Sequence, residues 1–325
     1  MRLAIALLLI ISFSIVQAQF KKSEPLAHTY SIVAYDPETG DLGVAVQSHW
    51  FSVGTVVTWA EAGVGAIATQ SFSNPAFGPQ GLQLLKTGLD AQEVLEVLVK
   101  SDEGRDYRQL GIVDAQGKTA SHTGAKNIEF AGSIVEENFA VQANLMMNDK
   151  VWPAMAEAFK KSEGPLAERL ITALEAGERA GGDARGKQSA AVLVVSGQPT
   201  GKSWIDRKVD IRVDDSNNPL IEIRRLWNVH QAYEFMNEGD LAVEAGDYEL
   251  ASSLYKQAET MFPENLEMQY WHAINLVNTG KLKEALPMFK HIFSQDSNWR
   301  DLTPRLIKNE VLVADDKTLK IILKQ

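Results

Sequence analysis

The sequence contains no cysteine among its 325 residues. This absence excludes disulfide bonds, thiolate nucleophiles and cysteine-ligated metals. Positive charge is also scarce, because 32 lysines and arginines stand against 42 aspartates and glutamates, for a formal net charge of −10. Nucleic acids and anionic membrane surfaces are bound through clustered cations, so neither is an expected partner. The sequence has no HExxH motif and no close pair of histidines, which gives little support to a metal site, and no cofactor is expected.

The N-terminus has the pattern of a secretory signal peptide over residues 1–18. Arg2 supplies the positive charge, residues 3–16 are apolar, and Val16-Gln17-Ala18 is a small-residue cleavage site. The apolar run is shorter than the about 20 residues that a membrane-spanning helix needs. We therefore expect cleavage near Ala18, no membrane span afterwards, and a periplasmic or secreted protein. Residues 19–27 are polar and are expected to form a linker.

The next stretch predicts a β-hairpin. Residues 29–35 are rich in β-branched and aromatic side chains, and residues 42–46 are apolar. Between them, Asp36-Pro37-Glu38-Thr39-Gly40-Asp41 has the residue types of a tight turn. Further strands are predicted over residues 53–59 and 63–69.

The remaining sequence up to about residue 226 alternates strands and helices. Asp90 followed by Glu93 has the spacing of a capping box at the start of a helix. The predicted loop is 75–81, the predicted helices are 82–85, 91–100, 151–159 and 165–180, and the predicted strands are 108–114, 119–123, 128–134, 138–145, 188–195, 206–213 and 221–225.

The C-terminal part contains an internal repeat, in which residues 229–263 correspond to residues 265–298. Gly246 and Gly280 lie 34 positions apart, as do Ala251 and Ala285. This spacing resembles that of tetratricopeptide repeats, whose period is about 34 residues. Residues 302–323 are expected to pack as a partial third unit. Such repeats commonly bind a peptide or protein partner on a concave surface, and a purely structural or dimerising appendage is the alternative.

Several separate motifs lie in the region of residues 28–197. They are residues 29–34 (TYSIVA), 36–40 (DPETG), 42–46 (LGVAV), 48–51 (SHWF), 62–66 (AGVGA), Thr69-Gln70, Asn74-Pro75, His122-Thr123-Gly124 and 182–190 (GDARGKQSA). In this order they resemble the DUF1028 family, which is assigned to the Ntn-hydrolase-like superfamily. The resemblance implies a four-layer αββα sandwich over residues 28–226. The repeats add a small all-α tetratricopeptide-like domain over residues 227–325, so the expected fold class is α+β.

In an Ntn-type fold, the resemblance implies that the nucleophile is the first residue of the first strand, here Thr29. Its own α-amino group would be the base, because a free amine with a pKa near about 8 accepts the hydroxyl proton at neutral pH. Gln70, Asn74 and Asn144 are candidate donors to the oxyanion. Signal cleavage after Ala18 leaves Thr29 inside the chain, so this mechanism requires a second cut before Thr29. The alternative is that Thr29 only begins a strand.

Other candidate residues lie at strand ends and in one loop. Ser48, His49 and His122 are candidate catalytic groups, since a histidine there could act as a base or metal ligand. In the loop of residues 182–186, Asp183 and Arg185 could bind a substrate carboxylate or amide, with Gln188 beside them. The alternatives are a structural histidine and an internal ion pair that fixes the loop.

Two functions follow from these observations. The first is a secreted Ntn-type hydrolase of amide bonds, acting on a small amide, a peptide or a cell-wall fragment. The second is a non-catalytic binding or assembly protein built on a degenerate Ntn scaffold. Metal-assisted hydrolysis through His49 and His122 is a third alternative. A homodimer is expected in either case.

Overall fold

The computed structural model describes residues 26–325, so the predicted signal peptide lies outside the described residues. Over this range the chain forms eleven strands, thirteen α-helices and one short 3-10 helix (Arg105–Tyr107). The strands are β1 (Leu26–Ala27), β2 (Thr29–Tyr35), β3 (Leu42–Ser48), β4 (Thr58–Glu61), β5 (Gly65–Phe72), β6 (Arg108–Asp114), β7 (Thr119–Thr123), β8 (Gly132–Glu136), β9 (Phe139–Ala143), β10 (Ser189–Val195) and β11 (Arg207–Val213). The helices are α1 (Gly54–Val57), α2 (Phe77–Lys86), α3 (Ala91–Ser101), α4 (Val151–Lys161), α5 (Leu166–Arg179), α6 (Ser203–Asp206), α7 (Pro219–Glu244), α8 (Tyr248–Met261), α9 (Leu266–Asn278), α10 (Leu282–Gln295), α11 (Asn298–Leu302), α12 (Arg305–Lys308) and α13 (Asp316–Leu323).

The strands form two antiparallel sheets. The first sheet has the order β1-β5-β6-β7. Strands β1 and β4 pair with the same edge of β5, β1 at its C-terminal end and β4 along its N-terminal half. The second sheet has the order β11-β10-β3-β2-β9-β8. The mixed α+β class expected from the sequence is therefore confirmed.

The predicted hairpin forms as β2 and β3, in a register that pairs Tyr35 with Leu42 and Thr29 with Ser48. The side chain of Asp36 accepts a hydrogen bond from the backbone N–H of Glu38 at 3.1 Å. Gly40 has a φ of +76°, which explains why glycine stands at this turn position.

Alternate residues of β2 face opposite sides of the second sheet. Tyr30 and Ile32 pack with α4 and α5 in one apolar core. Val33 lies in a second core between the two sheets, with Val44 and Val113. A third core lies on the other face of the first sheet, where Ile67, Leu110 and Ile112 pack against α2 and α3.

One predicted strand is wrong in part and another is wrong throughout. Of residues 53–59, Gly54–Val57 form the helical turn α1, and only Thr58 and Trp59 belong to a strand, β4. Gly54 packs closely on β10, where a Cβ would lie 2.5 Å from that of Ala191. Residues 221–225 lie in α7, which begins at Pro219 and buries Ile223 and Trp227 at helical spacing.

Of the shorter predicted segments, one is confirmed and two differ from the structure. The capping box at Asp90 is confirmed, since both of its hydrogen bonds with Glu93 are present. Residues 75–81 were expected to be a loop, but α2 begins at Phe77 and Gly78 packs against Trp59. The last two residues of the expected linker form β1, paired with β5.

The C-terminal region is helical. Helix α7 packs against α8, α8 against α9, and α9 against α10. Gly246 and Gly280 follow α7 and α9 with φ values of +77° and +78°. The end of the chain joins this region, because Leu306 and Ile322 belong to the core that contains α9 and α10.

Helix α7 is common to both regions. Its first half places Leu220 and Trp227 in the core of the second sheet. Its second half places Ala232 and Met236 in a core shared with α8. The expected domain boundary at 226/227 falls inside this helix. Within residues 26–325, no helix combines the length and apolar character needed to cross a membrane.

Candidate functional site

The chain passes from one sheet to the other at His28. Ala27 pairs with Ser71 in the first sheet, and Thr29 pairs with Ser48 in the second. Between them, the backbone N–H of His28 donates to the carbonyl oxygen of Leu26 at 3.1 Å, so the chain makes a tight three-residue turn. The peptide bond between His28 and Thr29 therefore lies where the two sheets meet.

Three hydroxyl groups form a row at this end of the second sheet. Thr29 pairs with Ser48, and Ser48 pairs with Ser189, so their side chains lie on the same face. This is the face of Val33, which is turned toward the first sheet. All three residues are completely buried. Within the part of the chain that the structure describes, Oγ1 of Thr29 has no hydrogen-bond partner.

The carbonyl oxygen of His28 receives two short hydrogen bonds. Oγ of Ser48 and Nη2 of Arg185 each donate to it at 2.6 Å. The guanidinium is held in place by Asp183, with Nε–Oδ1 and Nη2–Oδ2 distances of 3.0 and 2.7 Å. The Asp183 side chain is fully buried, whereas that of Arg185 is 29% exposed. A hydroxyl and a cation thus converge on one carbonyl oxygen, directly before the unpartnered hydroxyl of Thr29.

Amide side chains contact the carbonyl oxygen of the next residue, Thr29. The carbonyl oxygen of Thr29 accepts from the backbone N–H of Asn144 at 3.0 Å. The side-chain amides of Gln70 and Asn144 make longer contacts to it, each of 3.4 Å. Both amides also donate to Oε1 of Gln109, at 2.7 and 2.8 Å. These contacts fix the position of Thr29 from the side opposite Ser48 and Arg185.

The amide network continues between the sheets. Oγ of Ser31 donates to Oε1 of Gln70 at 2.6 Å and accepts from Nε2 of Gln142 at 2.6 Å. All three residues are completely buried. Gly111 leaves room for this network, since a Cβ there would lie 2.2 Å from Oε1 of Gln142. The network therefore depends on a side-chain-free position in β6.

His28 is held by Asn144 in a defined tautomer. Nδ1 of His28 lies 2.8 Å from Oδ1 of Asn144, and Nδ2 of Asn144 donates to Gln109. Because an amide oxygen only accepts, Nδ1 of His28 carries the proton. The ring also meets the edge of Phe72, with centroids 5.3 Å apart. Burial, with a smaller contribution from the Arg185 cation, lowers the pKa of His28 below 6.5 against the opposing effect of the Asn144 hydrogen bond. The imidazole is therefore neutral at neutral pH.

Two strained residues flank the amide side chains. Ser71 and Leu145, which directly follow Gln70 and Asn144, have φ values of +72° and +59°. A side chain in this left-handed region costs free energy, and such residues cluster at functional sites. Both positions turn the backbone immediately after an amide that contacts the Thr29 carbonyl.

Of the residues expected from the sequence, the structure brings six together: Thr29, Ser48, Gln70, Asn144, Asp183 and Arg185. The other four make their contacts elsewhere. Asn74 caps its own loop, accepting from the backbone of Ala76 at 3.2 Å. The side chain of Gln188 donates to Asp215 at 3.1 Å.

Neither expected histidine contacts Thr29. Nε2 of His122 lies 2.9 Å from the carbonyl oxygen of Arg105. The side chain of His49 is exposed, and only its backbone N–H reaches the site, at 3.3 Å from Oδ2 of Asp183. Within residues 26–325, no group of three or more His, Asp or Glu side chains is arranged to hold a metal ion.

Four site residues were not predicted from the sequence. Gln142 is the one polar residue of β9, and Gln109 directly precedes the apolar residues 110–113 of β6. A buried amide needs hydrogen-bond partners, so an amide in such a position is a signal that sequence reasoning could have used. Ser31 is small and hydroxylic, a type common in strands without any function. His28 was the first residue of the predicted domain, but no role was assigned to it.

The site is shielded from solvent except at Arg185, whose side chain is partly exposed. His28 is 5% exposed, and Thr29, Ser48 and Asn144 are completely buried. A surface cavity of about 510 Å³ lined by Trp204, Trp227 and His230 has none of these residues in its wall.

Comparisons with known proteins cover mainly the part of the chain that holds the two sheets. Residues 29–223 match the model of a family described as a family of unknown function (DUF1028). A crystal structure of a DUF1028 protein from Silicibacter pomeroyi matches with a TM-score of 0.56 and 33% identity, over 61% of this chain and 84% of that chain. Anbu (ancestral beta-subunit) from Yersinia bercovieri matches with a TM-score of 0.28 and 12% identity, over 67% of this chain and 97% of that chain. No curated protein matches.

Proposed function

The chain belongs to the DUF1028 family, a family of unknown function, and we propose that it is an Ntn-type hydrolase of amide bonds with Thr29 as nucleophile. One observation carries this proposal: Ser48 and Arg185 both donate at 2.6 Å to the carbonyl oxygen of His28. Donors at a carbonyl oxygen stabilise the negative charge that develops when a nucleophile attacks its carbon. The nearest hydroxyl along the chain belongs to Thr29, is buried, and has no partner among the described residues.

The first reaction is cleavage of the chain before Thr29. Oγ1 of Thr29 attacks the carbonyl carbon of His28 through a five-membered ring, and the oxyanion is stabilised by Ser48 and Arg185. The C–N bond breaks, the hydroxyl proton goes to the nitrogen of Thr29, and an ester joins His28 to Oγ1. Water then hydrolyses the ester, which releases the carboxylate of His28 and restores the hydroxyl.

The cleaved chain carries both the nucleophile and its base on one residue. A free α-amine with a pKa near about 8 takes the proton of the Thr29 hydroxyl at neutral pH. Ser48 and Arg185 then face the carbonyl oxygen of an incoming amide. Gln70 and Asn144 are positioning residues, because they contact the carbonyl oxygen of Thr29 rather than the carbonyl under attack. The substrate is a small amide, a peptide or a cell-wall fragment.

The packing supports an Ntn-like fold. Helices α2 and α3 lie against one sheet, α4 and α5 lie against the other, and an apolar core lies between the sheets. We assign this arrangement to the αββα sandwich and the C-terminal helices to tetratricopeptide-like repeats that recruit a peptide or protein partner. The proposal also includes a signal peptide cleaved near Ala18, a periplasmic or secreted location, and a homodimer.

Intact mass and N-terminal sequencing test the nucleophile. The purified chain is incubated at pH 8, and we expect it to convert to a form beginning at Thr29. Thr29→Val is the matched control, because valine keeps the shape of threonine and lacks the hydroxyl; it should not convert. Thr29→Ser should retain conversion.

Arg185→Gln tests the oxyanion donors. Removing one donor typically slows such reactions about 100-fold or more, so we expect self-cleavage to slow by at least that factor. Gln188→Ala, whose side chain bonds Asp215 outside the site, is the control and should cleave at the wild-type rate. A chain that remains intact for days with Thr29 in place would contradict the proposal.

A non-catalytic binding or assembly protein is the second candidate. The observation that favours it is the state of Thr29 itself, which is joined to His28 and completely buried. A chain that stays uncut in the incubation, and whose mature form begins near Gln19, would make this candidate the better one.

A further inference from the structure

We infer that residues 26–28 occupy the acyl half of the substrate site, and that this site selects peptides ending in histidine on the acyl side of the cleaved bond. The inference rests on the proposed function for its catalytic meaning. It follows from contacts that His28, Ala27 and Leu26 make separately.

The first contact fixes the reacting carbonyl. In the intact chain this carbonyl belongs to His28, and its oxygen is bound by Ser48 and Arg185. After cleavage the same carbon becomes a carboxylate. A carboxylate beside a guanidinium forms a charge-assisted hydrogen bond, which is stronger than a bond between neutral groups. A peptide with a free C-terminal carboxylate is therefore a ligand for the same donors.

The second contact selects the side chain. The imidazole of His28 is 5% exposed and donates from Nδ1 to Oδ1 of Asn144 at 2.8 Å. The amide nitrogen of the same Asn144 side chain already donates to Oε1 of Gln109. If the residue at position 28 has no hydrogen-bond donor, the buried Oδ1 of Asn144 loses this partner. Sites of this kind discriminate strongly against ligands that lack the donor.

The third contact concerns the backbone. Leu26 and Ala27 pair with Phe72 and Ser71 along the edge of β5. A peptide supplied from outside adds to this edge as a short strand, which is a common mode of peptide recognition. Ala27 is completely buried, so the next residue back must be small, whereas Leu26 is 41% exposed and tolerates replacement.

The test uses the full chain with Thr29→Val, in which no cleavage takes place and binding alone is measured. Leu26→Gly and His28→Gly are added to weaken the chain's own segment, which otherwise competes at an effective concentration near the millimolar range. The probe is fluorescein-labelled Leu-Ala-His with a free carboxylate, and binding is measured by fluorescence anisotropy. We expect it to bind the weakened chain at least tenfold tighter than the Thr29→Val chain.

Two comparison peptides define specificity. Leu-Ala-Gly lacks the imidazole, and Leu-Ala-His amide lacks the carboxylate; each should bind the weakened chain at least tenfold more weakly. The milder pair Thr29→Val, His28→Ala replaces the weakened chain if that chain does not fold. The Thr29→Val chain without further substitutions should also bind Leu-Ala-His more tightly than Leu-Ala-Gly, when the peptides are present at millimolar concentration.

Equal binding of the histidine and glycine peptides, or binding of neither by a folded chain, would overturn the inference. This result is independent of the hydrolase proposal, since Thr29→Val removes the nucleophile from every chain used. Selective peptide binding together with a wild-type chain that never cleaves would retain the recognition site and discard the hydrolase.

Discussion

The space between the two sheets is apolar at one end and polar at the other. At one end Val33, Val44 and Val113 fill it with aliphatic groups. At the other end, two residues along the same strand, Ser31 begins a chain of buried amides that includes Gln70. Both ends are equally shielded from water. The first end needs only matching shapes, whereas the second needs a partner for every polar atom.

The two ends of this interior therefore differ in what they contribute: the apolar end contributes stability, and the polar end holds the groups of the candidate site. Buried amides add no stability over a well-packed apolar core, and each one that loses its partner is costly. The polar end also contains the strained Ser71 and the unpartnered hydroxyl of Thr29. Departures from the rules of good packing that gather at one place are expected at functional sites. Four predictions test the contrast, all on chains carrying Thr29→Val or verified to be uncut.

The largest effect is expected at the apolar end. Leu42→Ala removes most of a completely buried side chain, and the free energy of unfolding should fall by about 3 kcal/mol through lost burial and the cavity left behind. Urea unfolding measures this change. Leu241→Ala is the control, because Leu241 is 64% exposed and its loss should cost less than about 0.5 kcal/mol. Equal losses in the two variants would contradict the assignment of this core.

A smaller loss is expected at the polar end. Ser31→Ala removes few atoms but leaves Oε1 of Gln70 and Nε2 of Gln142 without the hydroxyl between them. The free energy of unfolding should fall by about 2 kcal/mol, because unsatisfied buried groups are costly. The exposed Ser294→Ala is the control and should be neutral. A neutral Ser31→Ala would show that water or a rearranged amide replaces the hydroxyl.

The third effect depends on pH. Burial lowers the pKa of His28, so the folded chain binds fewer protons than the unfolded chain once the pH falls below about 6.5. The free energy of unfolding is therefore unaffected by protonation of His28 above about pH 6.5. It decreases on acidification below that pH, by at most about 1.4 kcal/mol per pH unit. His28→Gln does not titrate and should show a flatter pH dependence in urea unfolding. Parallel curves between pH 7.5 and 5 would contradict the lowered pKa.

The smallest effect has the opposite sign. Thr29→Val replaces a buried hydroxyl that has no partner within residues 26–325, and it should raise the free energy of unfolding by up to about 1 kcal/mol. Thermal unfolding of intact-mass samples measures it. Destabilisation would mean that the hydroxyl has a partner, and would weaken the argument that it is available for attack.

Local signals in the sequence predicted much of the fold. The turn at Asp36 to Gly40 and the capping box at Asp90 depend only on neighbouring residues, so both were found. The strand expected at 221–225 failed because its apolar residues fit a helix equally well, and the burial of Ile223 and Trp227 against the second sheet decided between them.

The candidate site was predicted only in part. Thr29, Ser48 and Arg185 were selected, but no sequence pattern showed that their contacts meet at the carbonyl oxygen of His28. That meeting depends on β2 lying beside β3 and on the position of the loop containing Asp183, which are matters of tertiary structure. His49 and His122 were selected by residue type alone. In the structure the side chain of His49 is exposed, and the imidazole of His122 contacts the carbonyl oxygen of Arg105.

Helix α7 makes the C-terminal region an extension of the first region rather than an attachment to it. Its 26 residues span about 39 Å at the usual rise per residue, and the family match ends inside it, at residue 223. No hinge separates its two halves, and both are packed into cores. Turning one region against the other therefore requires bending this helix, and a force applied to the C-terminal helices would be transmitted through it to the second sheet, which contains Thr29.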